Sequence, residues 1–284
     1  MRLDDFDNSI NVEDQRGSGM SFGGARGKIG CGSIVIALIA ALVFGVDPAQ
    51  MLGTMQQGAE TSVQPQGGRS VAESCNVDAF SRESCNALAS LDKTWTPLFE
   101  KANIPFKAPK LVFYSQAGQS GCGAAQSAMG PFYCPTDQGI YIDTDFYNEL
   151  DKKMGAGGDF ARAYVIAHEF GHHVQNLTGM SGQVQSAQQQ NPSRANQLSV
   201  RLELQADCYA GVWAAHNKDR IDPGDLEEGL TAAHQIGDDT LMKSAGRRPV
   251  EAAFTHGSAE QRMTWLRKGL ETGNEDACDT FADM

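Results

Sequence analysis

The sequence predicts a mostly helical α+β domain that contains a small β-sheet and is preceded by one transmembrane helix. An uncharged apolar run covers residues 29–46, and helical apolar periodicity dominates the chain after about residue 74. Two short segments, 110–114 and 139–143, are rich in β-branched and aromatic residues and predict strands. The chain therefore divides into a tail (1–28), an anchor (29–46), a linker (47–73) and one domain (74–284).

The anchor is predicted from the apolar run and its flanks. About 18 residues are just enough to span the hydrocarbon core of a bilayer. A cleavable signal sequence is disfavoured, because a long tail of mixed charge precedes the run and no small-residue cleavage site follows it. Arg26 and Lys28 lie just before the run, whereas the first basic residue after it is Arg69. We therefore expect a single-pass protein of the inner membrane, with a cytoplasmic tail and a periplasmic or extracytoplasmic domain.

The linker and the cysteines agree with export of the domain. Residues 47–73 are rich in Gln, Gly, Ser and Pro and predict a flexible tether. Of the seven cysteines, one lies in the anchor and an even number lies in the domain, as is typical of disulfides. Spacing alone does not fix the pairing, and buried thiols in a cytosolic protein are the alternative. The local choices are Cys75 with Cys85 and Cys122 with Cys134, which leaves Cys208 with Cys278.

Helical periodicity and capping residues predict five helices in the domain. They cover residues 84–102, 160–178, 192–215 and 223–235, with a last helix from residue 258. Asp159 can cap the start of the second helix and Gly179 can close its end. Ser258 and Gln261 form a capping-box pattern for the last helix, and Gly273 can terminate it. The polar stretch 183–190 is a candidate for a mobile loop near the cleft.

The second and third helices carry the residues that predict a metal site. His168 and His172 lie four residues apart on one helical face, so both imidazoles can reach one metal ion with Glu169 beside it. Glu203 and Asp207 have the same spacing, so Glu203 can be the third ligand while Asp207 accepts the free ring proton of a ligating histidine. Three protein ligands leave a position for water, which is typical of catalytic Zn²⁺, although other divalent ions accept these ligands. The alternatives are two packed histidines and a solvated carboxylate face.

These motifs resemble those of the gluzincin metallopeptidases, and the chain as a whole is similar to the bacterial family of predicted neutral zinc metallopeptidases. The resemblance runs through the segments 132–135, 140–143, 168–175, 203–209 and 255–262. It implies a zincin-like domain behind one amino-terminal anchor, a bound zinc ion and hydrolysis of peptide bonds. The resemblance supplies no particular substrate.

The residue types suit hydrolysis of a peptide bond by a zinc-activated water. Glu169 is the expected general base, which takes the proton of the water and passes it to the leaving amine. The candidates for stabilising the oxyanion are His256, Arg262 and Tyr209. Of these, His256 and Arg262 resemble a late His-plus-Arg element of membrane gluzincins. A strand is expected to border the cleft and pair with the substrate, and by position the better candidate is 139–143.

Composition and context narrow the class of substrate. The formal net charge of -12 argues against nucleic acid, because no basic stripe is present to neutralise phosphates. Intramembrane proteolysis is disfavoured, since the second helix carries charged and polar residues. An exported or envelope peptide or protein, cut by an endopeptidase, is the expected substrate. Two alternatives stay open: a zinc amidase acting on cell-wall peptide, and a non-enzymatic zinc-containing protein of envelope assembly or binding.

Overall fold

The computed structural model describes residues 1–4, 6–17 and 69–282. Within these residues the chain forms nine α-helices and six strands, and this mostly helical α+β arrangement confirms the predicted class. No helix in the described part is long and apolar enough to span a bilayer. The predicted anchor, residues 29–46, lies outside the described residues, as does the linker up to residue 68.

The elements are numbered in chain order. The strands are β1 (Val12–Asp14), β2 (Lys110–Tyr114), β3 (Ala117–Ser120), β4 (Gly123–Gln126), β5 (Phe132–Cys134) and β6 (Gly139–Asp143). The helices are α1 (Val71–Cys75), α2 (Ala79–Lys101), α3 (Asp145–Lys152), α4 (Asp159–Leu177), α5 (Met180–Gln190), α6 (Ala195–His216), α7 (Asp225–Gln235), α8 (Asp238–Ser244) and α9 (Ala259–Thr272).

The main sheet has the strand order β1-β2-β6-β5, and β3 with β4 forms a separate hairpin. Strand β2 pairs parallel with both β1 and β6, while β5 runs antiparallel to β6. The prediction that residues 139–143 border the cleft is wrong, because β6 lies between two strands that pair with both of its edges. Its place explains its apolar sequence, since both faces and both edges of β6 are buried.

Helix α4 lies in the centre of the helical layer and packs against α2, α6 and α7. The most extensive contact between described helices joins α6 and α9. These helices approach closely because each has a glycine that faces the backbone of the other helix. A Cβ atom on Gly269 would lie 2.0 Å from the carbonyl oxygen of Cys208, and one on Gly211 would lie 2.2 Å from that of Leu266. Side chains at these positions would force the two helices apart.

Several predicted boundaries need correction. Helix α2 begins at Ala79 rather than at residue 84, because the carboxylate of Asp78 accepts the amide hydrogen of Ser81 and caps the helix. Asp159 is the first residue of α4 rather than its cap. The whole of the predicted mobile loop, residues 183–190, is helical as part of α5. The capping box of α9 and its terminating Gly273 are confirmed.

Three disulfide bonds cross-link the described domain. They join Cys75 to Cys85, Cys122 to Cys134 and Cys208 to Cys278. The structure thus has the two local pairs that the sequence favours and the third pair that these leave. The third bond ties α6, which carries Glu203, to the carboxyl-terminal segment of the chain.

Candidate metal centre

Helices α4 and α6 bring His168, His172 and Glu203 together. Nε2 of His168 lies 3.1 Å from Oε2 of Glu203, and Nε2 of His172 lies 3.5 Å from Oε1 of the same carboxylate. The candidate ligand atoms of all three residues lie within 4.8 Å of one another. Ligands held about 2.0–2.2 Å from a tetrahedral ion are roughly 3.3–3.6 Å apart. The three side chains therefore have the spacing of ligands to a single zinc ion.

Hydrogen bonds at Nδ1 turn both imidazoles so that Nε2 faces the centre. Nδ1 of His168 lies 2.8 Å from Oδ1 of Asp207, and Nδ1 of His172 lies 2.9 Å from Oε1 of Gln175. The amide of Gln175 is itself fixed, because its Nε2 donates to the carbonyl of Leu202 at 2.7 Å. Such partners set the tautomer and orientation of a ligating histidine. Gln175 was missed in the sequence analysis, although its spacing of three residues from His172 places it on the same helical face.

Asp207 is fully buried and lies at the centre of a network of four side chains. Its Oδ1 accepts a hydrogen bond from the hydroxyl of Tyr164 at 2.6 Å, and Arg262 donates Nε to Oδ2 at 2.9 Å and Nη2 to Oδ1 at 3.0 Å. Burial raises the pKa of Asp207, but Arg262 and His168 outweigh burial and lower this pKa to about 2. Asp207 is therefore ionised and acts as the acceptor behind His168, as the sequence predicts.

Arg262 lies behind the ligands rather than at the open side of the centre. Its side chain is 3% exposed, and besides Asp207 its guanidinium reaches the carbonyl of Ile236 and the hydroxyl of Tyr164, each at 3.3 Å. It lies on the Nδ1 side of His168, whereas Nε2 on the other side of the ring faces Glu203. This placement favours a role in positioning Asp207 over direct contact with a substrate.

His256 approaches the centre from the loop before α9, and Asp238 fixes this loop. Oδ2 of Asp238 accepts the amide hydrogens of Thr255 and His256, each at 2.7 Å, and Oδ1 lies 3.2 Å from Nδ1 of His256. Burial raises the pKa of Glu203, but His172 and His256 outweigh it and hold this pKa well below the usual range. His256 is therefore close enough to Glu203 for a charge interaction.

Tyr209, the third candidate for the oxyanion, has a different environment. Its ring packs edge-on against Trp95 of α2, with 5.3 Å between the ring centroids. Burial raises the pKa of its hydroxyl to about 12. The structure thus places Tyr209 in the packing between α6 and α2, on another side of α6 from Asp207.

The chain is similar to known proteins over nearly its whole length. Residues 1–281 match the family model described as "Putative neutral zinc metallopeptidase". The chain belongs to this family. The "Uncharacterized protein YpfJ" of Escherichia coli (strain K12) is 44% identical over 280 residues, which cover 96% of each chain. The "Uncharacterized protein Rv2575" of Mycobacterium tuberculosis (strain ATCC 25618 / H37Rv) is 38% identical over 258 residues, or 85% of each chain. No solved structure matches.

Membership of this metallopeptidase family implies Zn²⁺, and the donors present fit that ion. Two imidazole nitrogens and one carboxylate are the usual set in zinc hydrolases, and they leave one position open. When bound, zinc supplies a Lewis acid that lowers the pKa of a water molecule and polarises a carbonyl group. Burial lowers the pKa of His168, but Asp207 and Glu203 outweigh it and raise this pKa to about 10. Binding of zinc to this ring would therefore compete with its protonation.

Glu169 lies beside the first ligand and is buried, with 8% of its surface exposed. Burial raises the pKa of its carboxyl group, although His168 and His172 act in the opposite direction. A raised pKa brings a carboxylate nearer to the range in which it can both accept and return a proton at neutral pH. Glu169 is thus a buried carboxyl group with a raised pKa beside the candidate ligands.

Proposed function

We propose that this protein is a zinc-dependent endopeptidase in which Glu169 is the general base. The observation that carries the proposal is the convergence of His168, His172 and Glu203 from two helices, with the buried Glu169 next to the first ligand. A site that only stabilises the fold is normally closed by four protein ligands and needs no base. Three ligands and a buried carboxylate favour hydrolysis.

The proposed proton path runs through the carboxylate of Glu169. A carboxylate oxygen takes a proton from the attacking water and then gives it to the nitrogen of the leaving amine, so no net proton is gained or lost. The raised pKa of Glu169, caused by burial, suits both halves of this transfer. Replacing the carboxylate by an amide of the same shape removes the proton acceptor and leaves the packing nearly unchanged.

His256 is the proposed donor to the oxyanion of the tetrahedral intermediate. Its Nδ1 is held by Asp238 and by the hydroxyl of Thr255 at 3.0 Å, while Nε2 has no hydrogen bond within the described residues. When both ring nitrogens carry protons, Nδ1 donates to Asp238 and Nε2 can donate to the substrate oxygen. Arg262, the other candidate, is assigned to positioning because its donors are committed to Asp207 and its neighbours.

Strand β5 is the proposed partner for the substrate backbone. It is the strand at the end of the main sheet that is also tied to α4: the hydroxyl of Tyr133 lies 3.0 Å from Nδ1 of His173 and accepts a hydrogen bond from Asn176 at 2.9 Å. An extended peptide can add to such an edge through backbone hydrogen bonds, whatever its sequence. The proposed substrate is accordingly an extended segment of an exported or envelope protein.

Membrane attachment through residues 29–46 is part of the proposal and is supported by their apolar, uncharged sequence. The three disulfides support an oxidising compartment for the domain, because cytosolic proteins keep their thiols reduced.

The test is digestion of an unfolded protein and of a mixed peptide library by the full chain, purified with zinc, beside its Glu169→Gln variant. Zinc content and thermal unfolding of both proteins are measured first, so that loss of metal or fold is separated from loss of the base. Cleavage by the first protein and none by the zinc-loaded variant supports the proposal. Equal cleavage by both removes Glu169 as base. Cell-wall stem peptides are added as a separate substrate, and cleavage of these peptides alone favours the amidase.

A further inference from the structure

The segment before the predicted anchor is built into the main sheet of the domain. Strand β1 pairs with β2 in parallel register, with Val12 opposite Leu111 and Asp14 opposite Phe113. The amide of Leu111 donates to the carbonyl of Asn11 at 2.9 Å, and the amide of Gln15 donates to the carbonyl of Phe113 at 2.7 Å. In the described structure, β1 is thus the outer strand that covers the edge of β2.

A buried ion pair ties this strand to the helices below it. The side chain of Asp14 is fully buried, and Arg16 binds it through Nε and Nη2, each at 2.8 Å. The same guanidinium donates to the hydroxyl of Ser81 at 2.6 Å and to the carbonyl of Ser74 at 2.8 Å, and lies 4.4 Å from the centroid of the Phe113 ring. Burying a carboxylate is costly unless it is paired. The pairing with Arg16 therefore allows Asp14 to be buried when β1 is docked on the sheet.

Contacts on both sides of β1 extend the docked segment. The side-chain amide of Asn86 on α2 donates to the carbonyl of Leu3 at 2.8 Å and accepts the amide hydrogen of Phe6 at 3.1 Å. Ile10 is 5% exposed and belongs to the main hydrophobic core. From beyond the predicted anchor, Arg69 donates to Asp14 at 2.9 Å. Residues on both sides of the apolar run thus meet at one carboxylate.

This packing bears on the predicted membrane topology. Backbone hydrogen bonds between strands act at about 2.9 Å, whereas a helix of about 18 residues is roughly 27 Å long and crosses the hydrocarbon core once. A single crossing between residues 17 and 69 would separate β1 from β2 by the thickness of the bilayer. The predicted topology puts the tail in the cytoplasm and the domain outside it. In that topology β1 could not pair with β2.

We propose that residues 6–17 are an edge strand of the metal-site domain and that both lie on the same side of the membrane. Because the disulfides support an oxidising compartment for the domain, we assign the amino-terminal segment to the same compartment. Were β1 absent, β2 would present an open edge of backbone donors and acceptors, which invites pairing with other chains.

The first test uses the full chain with a specific protease site inserted between Gly58 and Ala59. Membranes that carry this protein are cut at the site, washed and sedimented. The carboxyl-terminal piece, which has lost its covalent link to the apolar run, is expected to stay with the membrane through β1. Its release into the wash from correctly cut protein would overturn the proposal.

Competition identifies the strand as the contact without changing the domain. A peptide of residues 6–17, added in excess after cutting, should release the carboxyl-terminal piece, whereas the same peptide with Asp14→Ala and Arg16→Ala should not. A peptide with Asn8→Ala is the matched control, because Asn8 is exposed, and it should compete like the parent. Equal behaviour of all three peptides would show that retention does not depend on the docked strand and would count against it.

The second test measures sidedness in intact right-side-out vesicles. One epitope replaces the exposed residue Asn8 and another follows the carboxyl terminus, and external protease is added. Loss of both epitopes, or protection of both until the vesicles are opened, supports a shared compartment. Loss of one alone would show opposite sides and would refute the inference. Neither test depends on peptidase activity, so a failure here leaves the proposed function untouched.

Discussion

Replacing Gly171 by alanine should separate the two helices that carry the metal ligands. Gly171 lies on α4 directly before His172, and an added Cβ would be 2.8 Å from the Cα and 2.9 Å from the carbonyl oxygen of Ala206 on α6. Ordinary contact begins at 3.4 Å, so the helices must move apart by at least about 0.6 Å. Both neighbours are backbone atoms, which cannot rotate away as a side chain can.

The magnitude follows from two opposing effects on the free energy of unfolding and one effect on zinc. Alanine gains about 1 kcal/mol over glycine within a helix, while overpacking costs about 1–3 kcal/mol, so the net destabilisation is about 0–2 kcal/mol. Glu203 moves with α6, and zinc sites tolerate displacements of only about 0.2 Å. We expect zinc affinity to fall on the order of 10–100-fold. Zinc affinity is therefore a more sensitive readout of this substitution than the free energy of unfolding.

The assay is competition for zinc against a chelator of known affinity, combined with thermal unfolding of the zinc-free protein. Gly182→Ala is the matched control: Gly182 also lies within a helix, α5, but a Cβ there meets no atom within 4 Å. The control should keep its zinc affinity and gain up to about 1 kcal/mol of stability. If Gly171→Ala bound zinc as tightly as the parent, the close approach of α4 and α6 would not be what sets the ligand spacing.

Four further predictions concern charges and cross-links. Arg262→Met should cost about 3–5 kcal/mol in thermal unfolding, because it leaves Asp207 buried without its partner. Zinc-loaded Arg262→Lys should keep kcat within about tenfold if Arg262 only positions Asp207, and a loss of about 10²–10³-fold would show contact with the oxyanion instead. Burial raises the pKa of Asp92 to about 7, and its Oδ1 has no hydrogen-bond partner. The folded state therefore keeps a proton that the unfolded state releases above about pH 4, and stability is lost as the pH rises towards 7. Asp92→Asn should accordingly raise the free energy of unfolding in urea by up to about 4 kcal/mol at about pH 8 and leave it almost unchanged at about pH 4; an equal effect at both values would exclude this cause. Replacing Cys208 and Cys278 together by serine opens a loop of 70 residues and should cost about 4 kcal/mol in denaturant unfolding, with little effect expected if the pair is reduced in the native protein.

The candidate ligand set could be predicted from the sequence because its residues come from two pairs, each within one turn of a single helix. Two histidines four residues apart share a helical face by the geometry of one turn, and the same holds for Glu203 and Asp207. The disulfide pairing agrees with the local choices in the sequence, since two local pairs leave only Cys208 with Cys278. The ligand inference needs only the spacing along the chain and the type of side chain, whereas the structure was needed to fix the pairing of the cysteines.

The sheet order could not be predicted, because it depends on contacts between segments that are far apart. Strand β1 has only three residues, Val12–Asp14, two of them acidic, and its sequence gives no sign of a strand. It forms because β2 offers a buried edge and because Arg16 neutralises Asp14 there. The place of β6 depends likewise on β5, a strand of three residues that the alternation of side chains does not reveal. Residue patterns identified β2 and β6 but not the short strands β1 and β5, and these short strands decide which strands lie at the edges of the sheet.

The role of Arg262 follows from the charges buried around the metal centre. Glu169, Glu203 and Asp207 bring three carboxyl groups into a buried region, and ionising all three there would be costly without compensation. Arg262 neutralises Asp207 through two hydrogen bonds, which leaves two carboxylates for a divalent cation to balance. Were Arg262 drawn to the substrate instead, Asp207 would lose its partner at the moment when it must hold His168. We therefore expect Arg262 to keep its hydrogen bonds to Asp207 when a substrate is bound.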